Sequence, residues 1–267
     1  MIALAFFAGV IYVRVVTKRD GLPFEPFLTL SYILIFGGVF GARLAYVLMH
    51  PEEFSGHWTD TFNPFAHGQF GIAGLNLYGG VVTAITLALV YLYWRKMPVL
   101  RVFDYFAPAL GLGLFLGRIG CFCNGCCFGT PTDLPWGVVF PPGSIPWFVY
   151  GSQPLHPAQL YSSLYGLGLF FAMHFLLKRK RFHGQVAASF LMIEAVFRFA
   201  IESVRYYETD MYVSFDGLHP TFNHLISIAL MLFGAGMYWY GRRHTAAVRA
   251  ETRNENGPVE PRAADQP

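Results

Sequence analysis

The chain has 267 residues, of which 54% are hydrophobic and only 13% are charged, and its formal net charge is +3. An average soluble domain carries about 25% charged residues, so the composition argues against a soluble protein. The basic residues lie in separate groups without interleaved aromatic residues, which argues against a nucleic-acid partner.

Seven apolar runs predict seven transmembrane helices. In chain order they cover roughly residues 1–16, 27–49, 72–94, 103–119, 160–177, 186–204 and 221–240. Most are close to the ~20 residues that cross ~30 Å of hydrocarbon as a helix. The first run has no basic segment before its apolar part, which disfavours a signal peptide. The predicted fold class is therefore an all-α polytopic membrane protein with about seven transmembrane helices and a small periplasmic loop region.

The distribution of lysine and arginine predicts the orientation of these helices. If the loop after the first run is cytoplasmic, all but four of the 19 basic residues fall on that side. This positive-inside pattern predicts a cytoplasmic C-terminus. We therefore expect a transmembrane domain over residues 1–243, with a periplasmic loop region at about 121–158. The polar, aromatic-poor residues 244–267 are expected to form a disordered cytoplasmic tail.

The four remaining basic residues, Arg43, Arg118, Arg198 and Arg205, lie on predicted spans toward the non-cytoplasmic leaflet. A charge at mid-bilayer costs about 2.5–3.5 kcal/mol on insertion scales, which favours a functional interpretation over snorkelling to the surface. Arg198 and Glu202 are four residues apart and can pair on one helix face, and Arg205 lies two turns beyond Arg198. Guanidinium groups at headgroup depth suit a phospholipid phosphate, because their planar fork donates two charged hydrogen bonds.

Other motifs lie at the same predicted depth. The "LYGG" stretch that ends at Gly80 places the phenol of Tyr78 beside a flexible backbone near the start of the third run. The stretch "HPAQLY" opens the fifth run, with His156 and Gln159 around a proline that suits the first turn of a helix. A histidine at a helix start is as readily structural as catalytic, and both interpretations remain open.

The motifs "GRIGCFCNGCCFG", "HPAQLY", "GGVFGARLAYVL" and "FRFAIESVR" together resemble the prolipoprotein diacylglyceryl transferase family, over about residues 1–243. The resemblance implies a bacterial inner-membrane enzyme. Such an enzyme transfers the diacylglyceryl group of phosphatidylglycerol to the lipobox cysteine of a preprolipoprotein, and the scheme requires no cofactor or metal. By matching position, the expected catalytic residues are Arg118, Arg198, Glu202, Tyr78 and Asn124. The expected substrate-binding residues are Arg43, Gly79, Gly80, Gly125, Gly129, His156, Gln159, Tyr161 and Arg205.

The chain also departs from the family pattern. Tyr78 stands where many members have histidine, and a phenol with a pKa near 10 is a poorer base at neutral pH. Cys121, Cys126 and Ser162 stand where asparagine, an acidic residue and glutamate are usual. A family tyrosine at the start of the first span would fall at or just before Met1, so we hypothesise a start site assigned too far downstream.

All four cysteines lie in the "GRIGCFCNGCCFG" segment, on the predicted oxidising side of the membrane, where disulfides persist. One or two local disulfides are the favoured expectation. Buried free thiols, a redox pair of Cys123 and Cys126, and a zinc site are alternatives, and the tight spacing disfavours the last. Two rival functions follow: a membrane thiol-disulfide oxidoreductase that uses Cys123 and Cys126, and a non-catalytic lipid-binding relative of the family.

Overall fold

The computed structural model describes residues 1–54, 76–207 and 221–255. Within these ranges, seven long helices lie at the seven predicted apolar runs, and the all-α prediction is confirmed. They are α1 (Ile2–Arg19), α2 (Glu25–Met49), α3 (Leu77–Trp94), α4 (Val99–Asn124), α6 (Ala158–Arg179), α7 (Gln185–Ile201) and α8 (Phe222–Glu255), and a short helix, α5 (Ile145–Tyr150), lies between α4 and α6.

Five of these helices, α2, α3, α4, α6 and α8, are long and apolar enough to cross a membrane. Helices α1 and α7 have 18 and 17 residues. Helix α8 continues to Glu255 and so extends into the segment 244–267 that we expected to be disordered. Residues 256–267, and residues 72–75 of the third predicted run, lie outside the described residues.

Large apolar side chains cover the outside of the bundle. Leu48, Trp94 and Phe233 are 71%, 75% and 65% exposed. A soluble protein rarely exposes so much contiguous apolar surface, whereas the acyl chains of a bilayer cover it at no cost. The bundle is therefore that of a polytopic membrane protein.

The interior of the bundle is held by small residues at helix contacts. A Cβ added to Gly80 of α3 would lie 2.8 Å from the carbonyl oxygen of Gly38 on α2. A Cβ added to Gly111 of α4 would lie 2.8 Å from the backbone nitrogen of Phe170 on α6. Glycine permits this close approach of backbones, so α2 packs tightly on α3 and α4 packs tightly on α6.

Residues 125–157, which we call the head segment, connect α4 to α6 at one end of the bundle. The N–H of Thr130 donates to the carbonyl of Val204 at 3.0 Å, and the N–H of Tyr206 donates to the carbonyl of Phe128 at 3.1 Å. These bonds join the head segment to the chain that follows α7. We call this end of the bundle, where α4 and α7 end and α3, α6 and α8 begin, the head end.

A buried carboxylate fixes the opposite end of the bundle. Asp104 of α4 accepts the N–H groups of Gly184, Val186 and Ala187 at 2.9, 2.9 and 3.1 Å. Lys180 pairs with the same carboxylate at 2.9 Å. The first amides of a helix have no partner within it, so Asp104 supplies the acceptors that the start of α7 needs.

Candidate functional site

Glu202 lies at the centre of a polar cluster at the head end. It begins the short 3-10 turn that follows α7, and its side chain is fully buried. One carboxylate oxygen accepts the hydroxyl of Tyr207 at 2.7 Å. The other accepts the hydroxyl of Thr221 at 3.0 Å and the side-chain amide of Asn223 at 3.4 Å. Both oxygens are therefore held in place by the chain after α7 and by the start of α8.

Two arginines pair with this carboxylate. Nε of Arg198 lies 3.3 Å from Oε1 of Glu202, and Nη1 of Arg205 lies 3.9 Å from the same oxygen. The pairing of Arg198 with Glu202 confirms the prediction from their four-residue spacing. Glu202 thus faces two guanidinium groups. The charges of Arg198 and Arg118 also act on the partly buried carboxylate of Glu194 on α7.

Arg205 is the more buried of the two, with a side chain only 9% exposed. Its guanidinium lies over the ring of Tyr207 at 4.9 Å, and its Nε and Nη1 atoms have no hydrogen-bond partner in the described residues. Burial lowers the pKa of Arg205, and the charges of Arg198 and Arg118 lower it further. Buried donors of this kind favour an anionic ligand, since an unsatisfied charged donor costs free energy.

Arg118 lies on the last two turns of α4 and is half-buried. Its charge acts on Arg205 and on the neighbouring thiol of Cys127. Helix α4 thus supplies a third positive charge, which acts on Arg205 in addition to that of Arg198 on α7. Arg43 is buried on α2, with its guanidinium over the ring of Tyr46 at 5.7 Å.

Tyr78 is linked to the Glu202 cluster through one residue of α8. Its hydroxyl donates to Oδ1 of Asn223 at 3.0 Å, and Nδ2 of Asn223 donates to the hydroxyl of Tyr207 at 3.2 Å. Burial raises the pKa of Tyr207, so its phenol stays protonated and donates to Glu202. Sequence reasoning missed Tyr207, Thr221 and Asn223, and the only signal for them is their polarity beside apolar runs.

Other predicted site residues have contacts that account for them structurally. Gly79 follows the N-cap Asn76, whose side chain accepts the Gly79 N–H at 3.1 Å, and Gly80 lies at the α2–α3 contact. The ring of His156 lies 3.3 Å from the hydroxyl of Tyr161, which also accepts the indole N–H of Trp136 at 2.7 Å. His156 therefore contacts α6, and Tyr161 links α6 to the head segment. The binding roles of Gly79, Gly80, His156 and Tyr161 stay predictions.

Gln159 and Gly129 join the head segment to its neighbours. Gln159 is fully buried, its Nε2 donates to the carbonyl of Cys126 at 2.9 Å, and its Oε1 has no partner in the described residues. A Cβ on Gly129 would lie 2.6 Å from the carbonyl oxygens of both His156 and Val204. Only glycine fits between these two backbones.

The signature segment ends its helix at Asn124, which is exposed, and turns at Gly125, which has a left-handed φ of 67°. The four cysteines around this turn are free thiols in the structure, so the expected disulfides are not formed. The neighbouring Cys121 thiol, together with the charges of Arg205 and Arg118, lowers the pKa of Cys127 to about 5. The positive field of the two arginines is a smaller cause than the Cys121 thiol, and it acts in the same direction, toward thiolate.

The geometry suits one kind of chemistry in particular. Guanidinium groups held beside a fixed carboxylate in a low-dielectric surrounding suit a phosphate ligand and the negative charge that develops as a phosphate leaves. The positive field also favours an incoming thiolate.

Comparison with known proteins points in the same direction. The family described as prolipoprotein diacylglyceryl transferase matches residues 1–240. Three relatives share the name phosphatidylglycerol–prolipoprotein diacylglyceryl transferase. One from Bordetella parapertussis is 33% identical over 80% of this chain and 77% of its own length. One from Nitratidesulfovibrio vulgaris is 37% identical over 80% and 75%, and one from Campylobacter hominis is 28% identical over 89% and 84%.

Proposed function

The chain belongs to the prolipoprotein diacylglyceryl transferase family, and from this premise we propose that it transfers the diacylglyceryl group of phosphatidylglycerol to the thiol of a preprolipoprotein cysteine. The observation that carries the proposal is the buried carboxylate of Glu202 paired with Arg198 and Arg205, with the charge of Arg118 acting on Arg205 from α4. An enzyme that releases a phosphate ester needs positive charge at its site. In a membrane protein, buried charged side chains cost free energy, which favours a functional role for these arginines.

The proposed reaction forms one bond and breaks one bond. The cysteine sulfur attacks the carbon of the diacylglyceryl group that carries the phosphate, and a carbon–sulfur bond forms. The carbon–oxygen bond to the phosphate breaks, and glycerol phosphate leaves with that electron pair. In the overall balance, the departing glycerol phosphate takes the proton of the thiol. No electrons are gained or lost, so the reaction is a substitution that yields a thioether.

Each residue has a distinct proposed part. Arg118 and Arg198 bind the phosphate and stabilise its charge as the ester bond breaks, because donors aimed at developing charge lower the barrier, and Arg205 adds to substrate binding. Glu202 is a positioning residue that orients Arg198 through their 3.3 Å contact. Tyr78 is placed to hold the α8 side of the pocket through its 3.0 Å bond to Asn223.

We place the protein in the bacterial inner membrane, with the head end periplasmic and the C-terminus cytoplasmic. The grouping of basic residues at the opposite end supports this orientation. The lipobox of a membrane-inserted signal peptide would then lie at the same level as the arginine cluster. We also propose that residues 1–243 act as the transferase domain and that the cytoplasmic tail has no part in the reaction.

Complementation tests this function directly. A bacterium depleted of its own diacylglyceryl transferase receives the wild-type chain, Arg118→Ala, or the control Arg95→Ala, whose side chain is exposed at the opposite end. We expect the mass of a reporter lipoprotein to rise by a diacylglyceryl group with the wild type and with Arg95→Ala only. A wild-type protein that reaches the membrane and leaves the lipoprotein unmodified would favour a relative that binds lipid without turnover.

A further inference from the structure

Three of the four cysteine sulfurs converge just after α4. The Sγ atoms of Cys121, Cys126 and Cys127 all lie within 4.8 Å of one another, and all three residues are partly buried. Cys123 is exposed and does not belong to this group.

The end of α4 explains this convergence. The N–H of Gly125 donates to the carbonyl of Phe122 at 3.2 Å, and the N–H of Cys126 donates to the carbonyl of Cys121 at 3.1 Å. With Gly125 in the left-handed conformation, this pair of bonds is a Schellman motif. The motif folds the chain back so that the side chain after the glycine meets the side chain one turn earlier in the helix. It therefore pairs Cys126 with Cys121, and the next residue, Cys127, brings the third thiol.

We propose that Cys121, Cys126 and Cys127 form a three-thiolate site for Zn²⁺. A zinc–thiolate bond is about 2.3 Å long, so tetrahedral geometry requires sulfurs about 3.8 Å apart. Sulfurs already within 4.8 Å of one another reach this spacing through small side-chain rotations. Three protein ligands leave the fourth position to water or another ligand from outside the chain. The tight sequence spacing, which disfavours a zinc site, is accommodated because the Schellman motif supplies the chain reversal.

The surrounding charge matches such a site. Three thiolates and one Zn²⁺ carry a net charge of −1, and the guanidinium groups of Arg118 and Arg205 both act on one of the three ligands, Cys127. Arg205 is nine-tenths buried and has two nitrogens without a hydrogen-bond partner in the described residues. A thiolate-bound zinc gives these buried positive charges a fixed negative neighbour.

The ligand residues are also fixed from outside the turn. The carbonyl of Cys126 accepts Nε2 of the fully buried Gln159 at 2.9 Å, which ties the turn to α6. Two of the three thiols, Cys121 and Cys126, are departures from the family pattern, and they occupy the two positions that the Schellman motif brings together. A disulfide would use only two of the three sulfurs and leave the third beside it. A single metal ion uses all three.

Metal content and thiol accessibility together test the proposal, and neither readout depends on transferase activity. The full chain is purified in detergent, exposed to Zn²⁺ and desalted, and zinc is measured by mass spectrometry. We expect about one zinc ion per chain for the wild type and for the matched control Cys123→Ser. We expect most of the zinc to be lost in Cys121→Ser, Cys126→Ser and Cys127→Ser. Elution of each variant as a single species in gel filtration checks that it folds.

Alkylation without reductant distinguishes the alternatives. With zinc bound, we expect one thiol, Cys123, to be alkylated quickly, and all four after chelation and denaturation. Two thiols that resist alkylation after chelation and denaturation would identify a disulfide and overturn the proposal. Four reactive thiols in a wild-type protein that binds no zinc would also overturn it. Zinc retained equally by all variants would show that the metal binds elsewhere, which contradicts the proposed site.

Discussion

Replacing Glu202 by glutamine removes the negative charge that holds two arginines while it keeps the shape of the side chain. In the structure this carboxylate accepts the hydroxyls of Tyr207 and Thr221 at 2.7 and 3.0 Å and pairs with Arg198 and Arg205. The amide of glutamine offers one acceptor instead of two and carries no charge. The variant therefore leaves both guanidinium groups without their counter-charge.

The size of the effect follows from this burial. Removing one partner of a buried ion pair typically costs 3–5 kcal/mol. Arg198 is 22% exposed and its partner is fully buried, so solvent offsets part of the loss and the lower end of this range applies. That cost falls on stability; the rate falls because Arg198 is no longer aligned, and losing one aligned transition-state donor lowers kcat by about 10²-fold. The remaining positive charge still attracts phosphate, so we expect kcat to fall and KM for phosphatidylglycerol to stay unchanged or decrease.

The assay is transfer to a lipobox peptide in detergent–phosphatidylglycerol mixtures, with kcat and KM measured separately and the thermal midpoint recorded for each variant. Asp104→Asn is the matched control, because it neutralises another fully buried carboxylate at the opposite end of the bundle. A Glu202→Gln enzyme with wild-type kcat would refute the positioning role. A rise in KM with unchanged kcat would show instead that Glu202 acts only through lipid binding.

Three further predictions concern single positions. Gly129→Ala forces a Cβ to within 2.6 Å of the carbonyl of His156, so we expect about 1–3 kcal/mol of destabilisation and lower transfer activity. Thermal unfolding and peptide mass measure the two effects. An unchanged thermal midpoint would contradict this close contact. Asp104→Asn weakens the start of α7, so we expect a loss of about 3 kcal/mol or more in the free energy of unfolding. At low temperature we expect a near-normal kcat. An unaltered thermal midpoint would argue against a capping role for Asp104. Hydrogen bonding to Arg19 lowers the pKa of Asp20, so its stabilising effect exists above its ordinary pKa and is lost as pH falls through the lowered value. Wild type and Asp20→Asn should differ in the free energy of unfolding by under about 1 kcal/mol at neutral pH, because this pair is partly exposed. The difference should vanish in acid. A difference that grows as pH falls would contradict the predicted direction of the pH dependence.

The membrane helices were predictable because the bilayer imposes a length on them. Apolar runs near 20 residues fixed the number and order of the long helices. The boundaries were less predictable where function adds polar residues to a helix. The fourth run was expected to end at 119, yet α4 continues to Asn124, because the left-handed Gly125 ends the helix and the limit of the apolar run does not. A glycine-rich signature looks like a loop in sequence, and only the turn geometry shows where the helix ends.

The site was predictable only within one helix. The spacing of Arg198 and Glu202 determines their contact, since residues four apart share a helix face. Thr221 and Asn223 join the cluster from α8, and no spacing rule connects them to Glu202. Likewise, depth in the bilayer placed His156 near the arginines, but equal depth does not specify the position around the bundle axis. Its side chain contacts Tyr161 of α6, and its carbonyl accepts the N–H of Gly129, which forms a β-bridge with Arg205.

One measurement tests the central claim most directly. The purified protein is reconstituted in phosphatidylglycerol vesicles with a lipobox peptide, and peptide mass and glycerol phosphate release are measured together. We predict that the peptide gains one diacylglyceryl group for each glycerol phosphate released, and that both signals disappear with Arg118→Ala. Protein that binds the vesicles and the peptide but changes neither signal would contradict the account.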